Sequence, residues 1–362
     1  MVQEIAKYQM LGVGQKAQSD KPHNMHFCRM LMVLFFVSLS SLTMAQKYYI
    51  TNQYLYDMYL MNPAGAGFYK GCYEFSAYYQ KQWFGVDESP TTQVLSYQGP
   101  LTKGLGLGTY FYNDRNGYYS EMGFQTSLSY EVMFSRKRKR TASMTFGMSI
   151  NAEQSSIDQT QLTDGAILDP VFSGAKESGW GFNSNAGILF KYNDYYLGFS
   201  VTNLLPQNNP MYTHDEEPAL TSDIHIHGGT SYKISDRDIY IEPFIMYRRN
   251  MLVDSKLDLS TKLFFPTPDP NLSFWGVLSY RRTMDHNFGK SLGLGTTGGV
   301  QINNFMVGLE YQLGLTSAQV DYGSSYQLIL KYRICKDRSK GSIPCSERNR
   351  NKKNKAIKRL KL

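Results

Sequence analysis

The feature that most constrains the fold of this chain is a two-residue alternation of apolar and polar side chains, which runs from about residue 69 almost to the C-terminus. The segment 304–314, NFMVGLEYQLG, shows it clearly. One set of alternate positions is Phe305, Val307, Leu309, Tyr311 and Leu313, and the other is Asn304, Met306, Gly308, Glu310, Gln312 and Gly314. Because successive side chains of a β-strand point to opposite faces of its sheet, the pattern predicts strands with one apolar and one polar face.

Fourteen such runs follow one another: 70–82, 91–99, 104–113, 118–134, 141–154, 179–192, 194–204, 222–234, 238–250, 255–265, 271–283, 287–301, 303–314 and 325–334. Runs of roughly ten residues separated by turns are typical of a transmembrane β-barrel, and single-chain bacterial barrels have an even number of strands. The sequence therefore predicts an all-β fold: a transmembrane antiparallel β-barrel of about 14 strands over residues 69–334.

A soluble β-sandwich would also alternate, so composition has to decide between the two folds. Charged residues make up 19% of the chain, against about a quarter in soluble domains. A sandwich would bury its aliphatic face and expose a charged one, whereas the second face here carries mainly Gly, Ser, Asn and Gln. Tyrosines such as Tyr112, Tyr118, Tyr195 and Tyr280 stand at strand ends, where membrane barrels have aromatic girdles. These features favour the barrel.

Residues 1–45 are interpreted as a secretory signal peptide. The apolar run LMVLFFV (31–37) follows Lys21 and Arg29 and precedes small residues that end at Ala45, which is the arrangement of a cleavable export signal. The run is shorter than the roughly 20 residues of a transmembrane helix, although an uncleaved anchor is the alternative. The long basic n-region leaves Met25 and Met30 as alternative starts. We expect Sec export, cleavage after Ala45 and an outer-membrane location.

The C-terminal residues 335–362 form a basic tail. Residues 331–362 hold thirteen Lys or Arg residues against Asp337 and Glu347, a net charge of +11 in a chain of +8 overall. The basic character therefore belongs to the tail and not to the barrel, so no nucleic-acid partner is implied. Like-charge runs of this kind are usually disordered interaction tails, and this one would be periplasmic if the last strand ends there. Cys335 and Cys345 could form a disulfide across a short tail loop.

Residues 46–68 separate the signal peptide from the first strand, and 53–67 read QYLYDMYLMNPAGAG. By itself this stretch fits a short core helix, an interfacial anchor or an approach to the barrel. Its position favours a short plug held by the barrel wall, with Tyr54, Leu55, Tyr59 and Leu60 packed against it. We expect Pro63 to stop the helix, and Gly65 and Gly67 to let the chain swing into the first strand.

Few residues suggest chemistry. His225 and His227 share one face of the predicted strand SDIHIHGGT, a spacing that suits a metal pair, but no third ligand is fixed and polar lumen residues would look the same. The lumen interpretation is favoured, and Glu242 and Glu310 also lie on predicted inward faces. No nucleophile elbow, P-loop, HExxH motif or triad spacing is present. We therefore predict no enzymatic activity, no bound metal and no cofactor.

Several segments together resemble one family. The stretch 53–67, with Tyr54, Asn62, Pro63 and Gly67, is similar to the "QY..n....NPA.aG" opening of the PorP/SprF family of Bacteroidetes outer-membrane proteins. Trp83, Gly85 and Pro90 resemble its next hairpin, and 323–332 resembles its closing strand. The similarity covers about residues 50–334. Two departures are Gln327, where the family usually has an acidic residue, and the basic tail beyond the family's typical end.

The resemblance implies a non-enzymatic outer-membrane component of the type IX secretion system or of its gliding-motility branch. The expected partners are the C-terminal domain of a type IX cargo protein, periplasmic type IX or gliding machinery, and outer-membrane lipid. Independently of the family, a barrel of fourteen strands can hold a ligand path. The alternative function is therefore a passive outer-membrane channel or a hydrophobic-solute transporter.

Overall fold

A computed structural model describes residues 52–67, 71–83, 85–86, 88–137, 140–160, 174–205, 221–234, 239–250, 255–269, 271–284, 291–315 and 323–335. The predicted signal peptide lies outside these residues, and so does the basic tail except for Cys335. No helix in these ranges is long and apolar enough to cross a membrane.

Three single-turn 3₁₀ helices, Gln53–Leu55, Met58–Leu60 and Pro63–Gly65, come first. The strands follow in this order: β1 (Cys72–Lys81), β2 (Thr91–Thr102), β3 (Leu105–Asn116), β4 (Tyr119–Lys137), β5 (Arg140–Asp158), β6 (Lys176–Tyr192), β7 (Tyr195–Thr202), β8 (Asp223–Gly229), β9 (Tyr232–Ile234), β10 (Ile239–Asn250), β11 (Ser255–Pro266), β12 (Leu272–Thr283), β13 (Ser291–Ile302), β14 (Phe305–Gly314) and β15 (Ser325–Cys335).

The strands form one closed antiparallel barrel. Neighbours in sequence pair with each other, and β1 closes the barrel by pairing with β15 from Cys72↔Cys335 to Lys81↔Tyr326. Both β8 and the short β9 pair with β10, so they are two pieces of one barrel strand that is interrupted at residues 230–231. Fourteen strands therefore close the barrel, with β9 as an additional piece. This confirms the predicted fold class, and the interruption divides the strand that was expected at 222–234.

The two ends of the barrel differ in their connections. At the end where β1 begins and β15 ends, every connection has two to five residues, and two of these turns use a positive φ at Asn193 and Asn303. Asparagine tolerates this conformation better than most residues. At the opposite end five of the seven connections have seven or more residues. We call these the short-turn end and the long-loop end.

The two faces of the wall have the predicted polarity. On β14 the exposed side chains are Phe305, Val307, Leu309, Tyr311 and Leu313, while Gly308, Glu310 and Gly314 are buried inside. Apolar side chains are exposed in the same way on the outer face of β4, β5, β7 and β12. An apolar outer surface around a polar interior is the arrangement of a barrel that is surrounded by lipid.

Two local expectations were wrong. Residues 53–67 form 3₁₀ turns and not a helix that Pro63 stops. Pro63 instead begins the third turn, a position where its missing N–H costs no hydrogen bond. The disulfide joins Cys335 to Cys72 and not to Cys345. Barrel closure makes Cys72 and Cys335 directly paired residues of β1 and β15, which brings together two cysteines that are 263 residues apart.

Candidate functional site: the segment inside the barrel

Residues 52–67, which we call the lumen segment, lie inside the barrel. Their polar and aromatic contacts reach β1, β2, β3, β4 and β6 to β8 on one side and β10 to β15 on the other. Its third turn also packs against β5. One stretch of sixteen residues thus contacts all fourteen strands that close the barrel.

Asp57 is the charged residue of the lumen segment, and it is completely buried. Its carboxylate accepts hydrogen bonds from Tyr78 Oη (2.7 Å), Ser96 Oγ (2.9 Å), Gln98 Nε2 (3.1 Å) and Lys331 Nζ (2.8 Å). These donors belong to β1, β2 and β15, on both sides of the β1–β15 closure. A buried carboxylate is costly unless it is paired and hydrogen-bonded, so this arrangement fixes the position of the segment.

Lys331 connects the lumen segment to a second carboxylate. Its Nζ also donates to the Tyr56 carbonyl and to Glu74 Oε1, both at 2.8 Å. Arg333 forms an ion pair with the other oxygen of Glu74. The result is a buried network of two carboxylates and two cations across the closing pair of strands, in which each charge has an opposite partner, as buried charges require.

Tyr54 anchors the segment to the opposite wall. Its hydroxyl donates to the Asp258 carboxylate, which also accepts from Arg248 Nη2 and Arg281 Nε at 2.9 Å each. The Arg248 guanidinium lies 5.3 Å from the centre of the Tyr54 ring, close enough for a cation–π interaction. Tyr54, which the sequence predicts to pack against the barrel wall, therefore joins β10, β11 and β12.

Glu310, a predicted lumen residue, faces inward and binds the start of the segment. It accepts from Asn52 Nδ2 (2.5 Å), Tyr56 Oη (3.0 Å) and Gln327 Nε2 (3.2 Å). Gln327 in turn accepts from Gln53 Nε2 at 2.9 Å. Glu310 and Gln327 are directly paired residues of β14 and β15. The amide can donate to Glu310, whereas a carboxylate at this position would place two like charges opposite each other.

Asn62 and Pro63 shape the far part of the segment. Asn62 Oδ1 accepts from the Ala64 N–H at 2.9 Å and so caps the turn that Pro63 begins. Asn62 Nδ2 lies 3.0 Å from His227 Nε2 and 3.2 Å from the Ile188 carbonyl. One asparagine side chain thus both caps a turn, as its short amide favours, and binds the walls formed by β6 and β8.

The wall that faces these turns is lined with glycine. Gly106, Gly108, Gly147 and Gly187 all point toward the segment, on β3, β5 and β6. A methyl group at Gly147 would overlap the backbone of Pro63 and Ala64, and one at Gly187 would overlap the Asn62 side chain. The sequence predicts a polar, glycine-rich inner face. The glycines of this face leave the space that the lumen segment occupies.

Gly67 ends the segment at the short-turn end. Its φ of 67° is in the left-handed region, which glycine adopts without steric cost. A methyl group there would also lie 3.1 Å from Gly106 Cα. Gly67 therefore supplies the turn toward β1 that the sequence predicts.

Trp83, Gly85 and Pro90 lie elsewhere, in the β1–β2 loop at the long-loop end. The Gln82 N–H donates to the Pro90 carbonyl at 2.9 Å, and the Val86 N–H donates to the Trp83 carbonyl at 3.2 Å. Trp83 has a positive φ of 54°. The motif residues thus fall into two clusters, one in the lumen and one in this loop.

His225, His227 and Glu242 all face the lumen. Both histidines are buried on β8, and His225 Nε2 lies 3.1 Å from Thr202 Oγ1. Glu242 on β10 is the direct cross-strand partner of Lys262 on β11. Within the described ranges, no three His, Cys, Asp or Glu side chains are grouped so as to hold a metal ion. His227 contacts Asn62 of the lumen segment.

Sequence reasoning missed the residues that hold the segment most firmly: Asp57, Glu74, Lys331, Arg248 and Asp258. One signal was available for Asp57, a single acid in the otherwise uncharged stretch QYLYDMYLM. Its partner Lys331 could not be found in the same way, because it lies 274 residues further along the chain and only barrel closure brings it to Asp57.

Comparison with known proteins gives one family and several distant folds. No match was found among proteins of curated function. Similar solved structures include the Pseudomonas putida toluene transporter TodX (11% identity, TM-score 0.41, 80% of this chain and 94% of that one). Others are the monoaromatic hydrocarbon channel CymD (11%, 0.42, 83% and 96%) and CdiB from Acinetobacter baumannii (10%, 0.39, 73% and 60%). These similarities are too distant to bear on function.

The family model of the type IX secretion system membrane protein PorP/SprF matches residues 43–332. The matched range contains the whole lumen segment, strands β1 to β14 and most of β15. The chain therefore belongs to the PorP/SprF family of type IX secretion system membrane proteins.

Proposed function

We propose that this protein is a non-enzymatic outer-membrane component of type IX secretion or gliding motility. It supports secretion or surface attachment of a cargo protein that carries a type IX C-terminal domain. Family membership supports the secretion role. The observation that carries the mechanistic part is the contact of the lumen segment with all fourteen closing strands. A barrel that is filled in this way acts as a closed scaffold and presents its surfaces, and not a pore, to its partners.

The connections support an orientation in the membrane. Outer-membrane barrels have short periplasmic turns and longer extracellular loops. The short-turn end, where β15 ends, is then periplasmic, and the basic tail that follows is available to periplasmic machinery. The long-loop end faces outward and is the end at which cargo is held. The apolar outer wall contacts outer-membrane lipid, and export depends on a signal peptide that is cleaved after Ala45.

The alternative is a passive channel or hydrophobic-solute transporter. One observation favours it: a cavity of about 690 Å³ with a largely apolar lining that includes Tyr196, Phe244, Ile245 and Leu278. Ile245 and Leu278 are on the exposed outer face, so the cavity borders the lipid side of the wall. The lumen segment argues against a continuous path through the barrel, and the secretion role is therefore preferred.

A deletion strain distinguishes the secretion role from the transporter role. We expect loss of the gene to remove one or more proteins with a type IX C-terminal domain from the cell surface, while permeability to small solutes stays unchanged. Surface proteomics and antibiotic or dye uptake measure the two effects, and the native gene in trans should restore display. Unchanged surface proteins together with reduced uptake of a hydrophobic solute would overturn the proposal in favour of the transporter.

A further inference from the structure

The outer wall contains a cavity of about 690 Å³ beside the interruption between β8 and β9. Ile245, Leu259 and Leu278 line this cavity, and all three are exposed on the outer face. Phe244 and Ser260 also line it, and both are buried. The cavity therefore extends from the lipid side into the wall. We call this space the wall cavity.

Pro243 causes the interruption beside this cavity. The Thr230 N–H donates to the Pro243 carbonyl at 3.3 Å, and proline has no N–H with which to bond the Thr230 carbonyl in return. Both β8 and β9 pair with β10 in one continuous register. The interruption is therefore a missing hydrogen-bond donor in the wall and not a shift of the strands.

The interruption places a polar group beside apolar side chains. Thr230 lines the wall cavity, and its hydroxyl oxygen is buried without a hydrogen-bond partner among the residues that the structure describes. A buried hydroxyl without a partner is unfavourable compared with one in water. A molecule that binds in the cavity can supply the acceptor that the wall lacks.

One end of the wall cavity lies near the short-turn end of the barrel. Tyr195 lines the cavity and directly follows the short turn that contains Asn193. Its hydroxyl lies 3.2 Å from that of Tyr232, and both rings are exposed. Such amphipathic rings are typical of the headgroup level of a membrane. From this level the cavity extends to Leu259 and Leu278, near the middle of β11 and β12.

We propose that the wall cavity binds one phospholipid of the periplasmic leaflet. One acyl chain lies against Ile245, Leu259 and Leu278, and the Thr230 hydroxyl donates to an ester carbonyl of the lipid. The cavity volume is in the range of ligand sites. Lipid surrounds the outer wall of a membrane barrel, and a narrow chain can enter a cavity that the broad wall of a second barrel cannot fill. The choice of leaflet rests on the orientation given with the proposed function.

Native mass spectrometry of the delipidated full-length protein in detergent tests the proposal. The probe is dipalmitoyl phosphatidylethanolamine, and the comparison is lipid A, which belongs to the opposite leaflet. We expect saturable binding of one phosphatidylethanolamine molecule per barrel. Lipid A should bind at least about tenfold more weakly, because its chains are carried on a bulkier disaccharide that does not fit the cavity.

Three variants locate the site. Gly228 lines the cavity, and Gly228→Leu should weaken binding about tenfold, because the added side chain takes the place of roughly two methylene groups of the lipid. Thr230→Val keeps the shape and removes the hydroxyl, so it should weaken binding about threefold to tenfold. The matched control is Gly298→Leu, because Gly298 is exposed and a methyl group there meets no atom within 4 Å. The unheated gel shift of each variant verifies its fold.

Equal binding by Gly228→Leu and Gly298→Leu would overturn the proposal, and so would binding of lipid A that is as tight as that of phosphatidylethanolamine. A dimer that Gly228→Leu abolishes would also overturn it, because the cavity would then belong to an interface with a second copy of the chain. These results are distinguishable from failure of the proposed function. In that case deletion of the gene would leave surface display of cargo intact, whatever the lipid does.

Discussion

At the scale of single residues, the absence of a side chain matters as much as its presence. Gly147 and Gly187 leave room for the backbone and cap of the lumen segment, and Asp57 and Tyr54 anchor that segment to opposite walls. The two glycines determine how closely the segment can approach the wall. Asp57 and Tyr54 determine where the segment lies in the lumen. A change at either kind of site should therefore move the segment without altering the strands themselves.

Replacement of Gly147 by alanine tests the close approach. The added methyl group would overlap the backbone of Pro63 and Ala64, so we expect Gly147→Ala to lower the free energy of unfolding by about 1–3 kcal/mol. Thermal unfolding followed by the gel shift of the unheated barrel measures this. The matched control is Gly298→Ala, since a methyl group at Gly298 meets no atom within 4 Å. Equal stability of the two variants would contradict the close approach.

Replacement of Lys331 by methionine tests the buried charge network. Removing Nζ leaves Asp57 without a cation at 2.8 Å, so we expect a loss of about 3–5 kcal/mol in the free energy of unfolding. Lys103→Met, at an exposed turn position, should be neutral. Adding Asp57→Asn to Lys331→Met should restore part of the loss, because the two residues interact directly. A double variant no better than the single one would argue against this pairing.

At the scale of elements, the β1–β15 pair is where the barrel and the lumen segment are joined. The pair carries the Cys72–Cys335 disulfide at its short-turn end. It also carries Lys331, which pairs with Asp57, and Glu74 and Arg333, which complete the charge network around Lys331. The last strand to be synthesised therefore completes both the wall and the site that binds the N-terminal segment.

Reduction of the disulfide should weaken the closing pair. A cross-link between residues 263 apart in sequence restricts the unfolded chain strongly, by about 5–6 kcal/mol in the chain-entropy model. We expect a reductant, or Cys72→Ser, to lower the temperature at which the barrel unfolds in SDS. Cys345→Ser should leave that temperature unchanged. A lower unfolding temperature for Cys345→Ser, together with an unchanged one for Cys72→Ser, would support the Cys335–Cys345 pairing that the sequence alone suggests.

The sequence predicts the strands better than it predicts the contacts between residues that are distant in the chain. Period-two alternation located the strands because each wall residue faces either lipid or lumen, as in 304–314. The inner contacts are set by closure, which no local pattern encodes, and this is why the Cys72–Cys335 pair and the Asp57–Lys331 pair were missed. The prediction that Pro63 stops a helix was wrong for a related reason. A proline can end one turn or begin the next, and the packing of Asn62 against β6 and β8 decides between them.

At the scale of the whole molecule, the protein is a membrane barrel of the PorP/SprF family that is filled by its own N-terminal segment. Sixteen residues contact all fourteen closing strands, and the one charged side chain of the segment, Asp57, is paired with Lys331 of the wall. This arrangement suits the scaffold role that we propose. It does not suit a conduit, which would need an unobstructed lumen.

Single-channel conductance in planar bilayers tests this claim most directly. The native protein should show no steady conductance above that of the bare membrane, because the lumen segment blocks the path of ions. A variant that lacks residues 52–66 and retains the strands should open steps of stable conductance, and the unheated gel shift verifies that it still forms a barrel. Stable open channels from the native protein, with conductance unchanged by the deletion, would contradict the account.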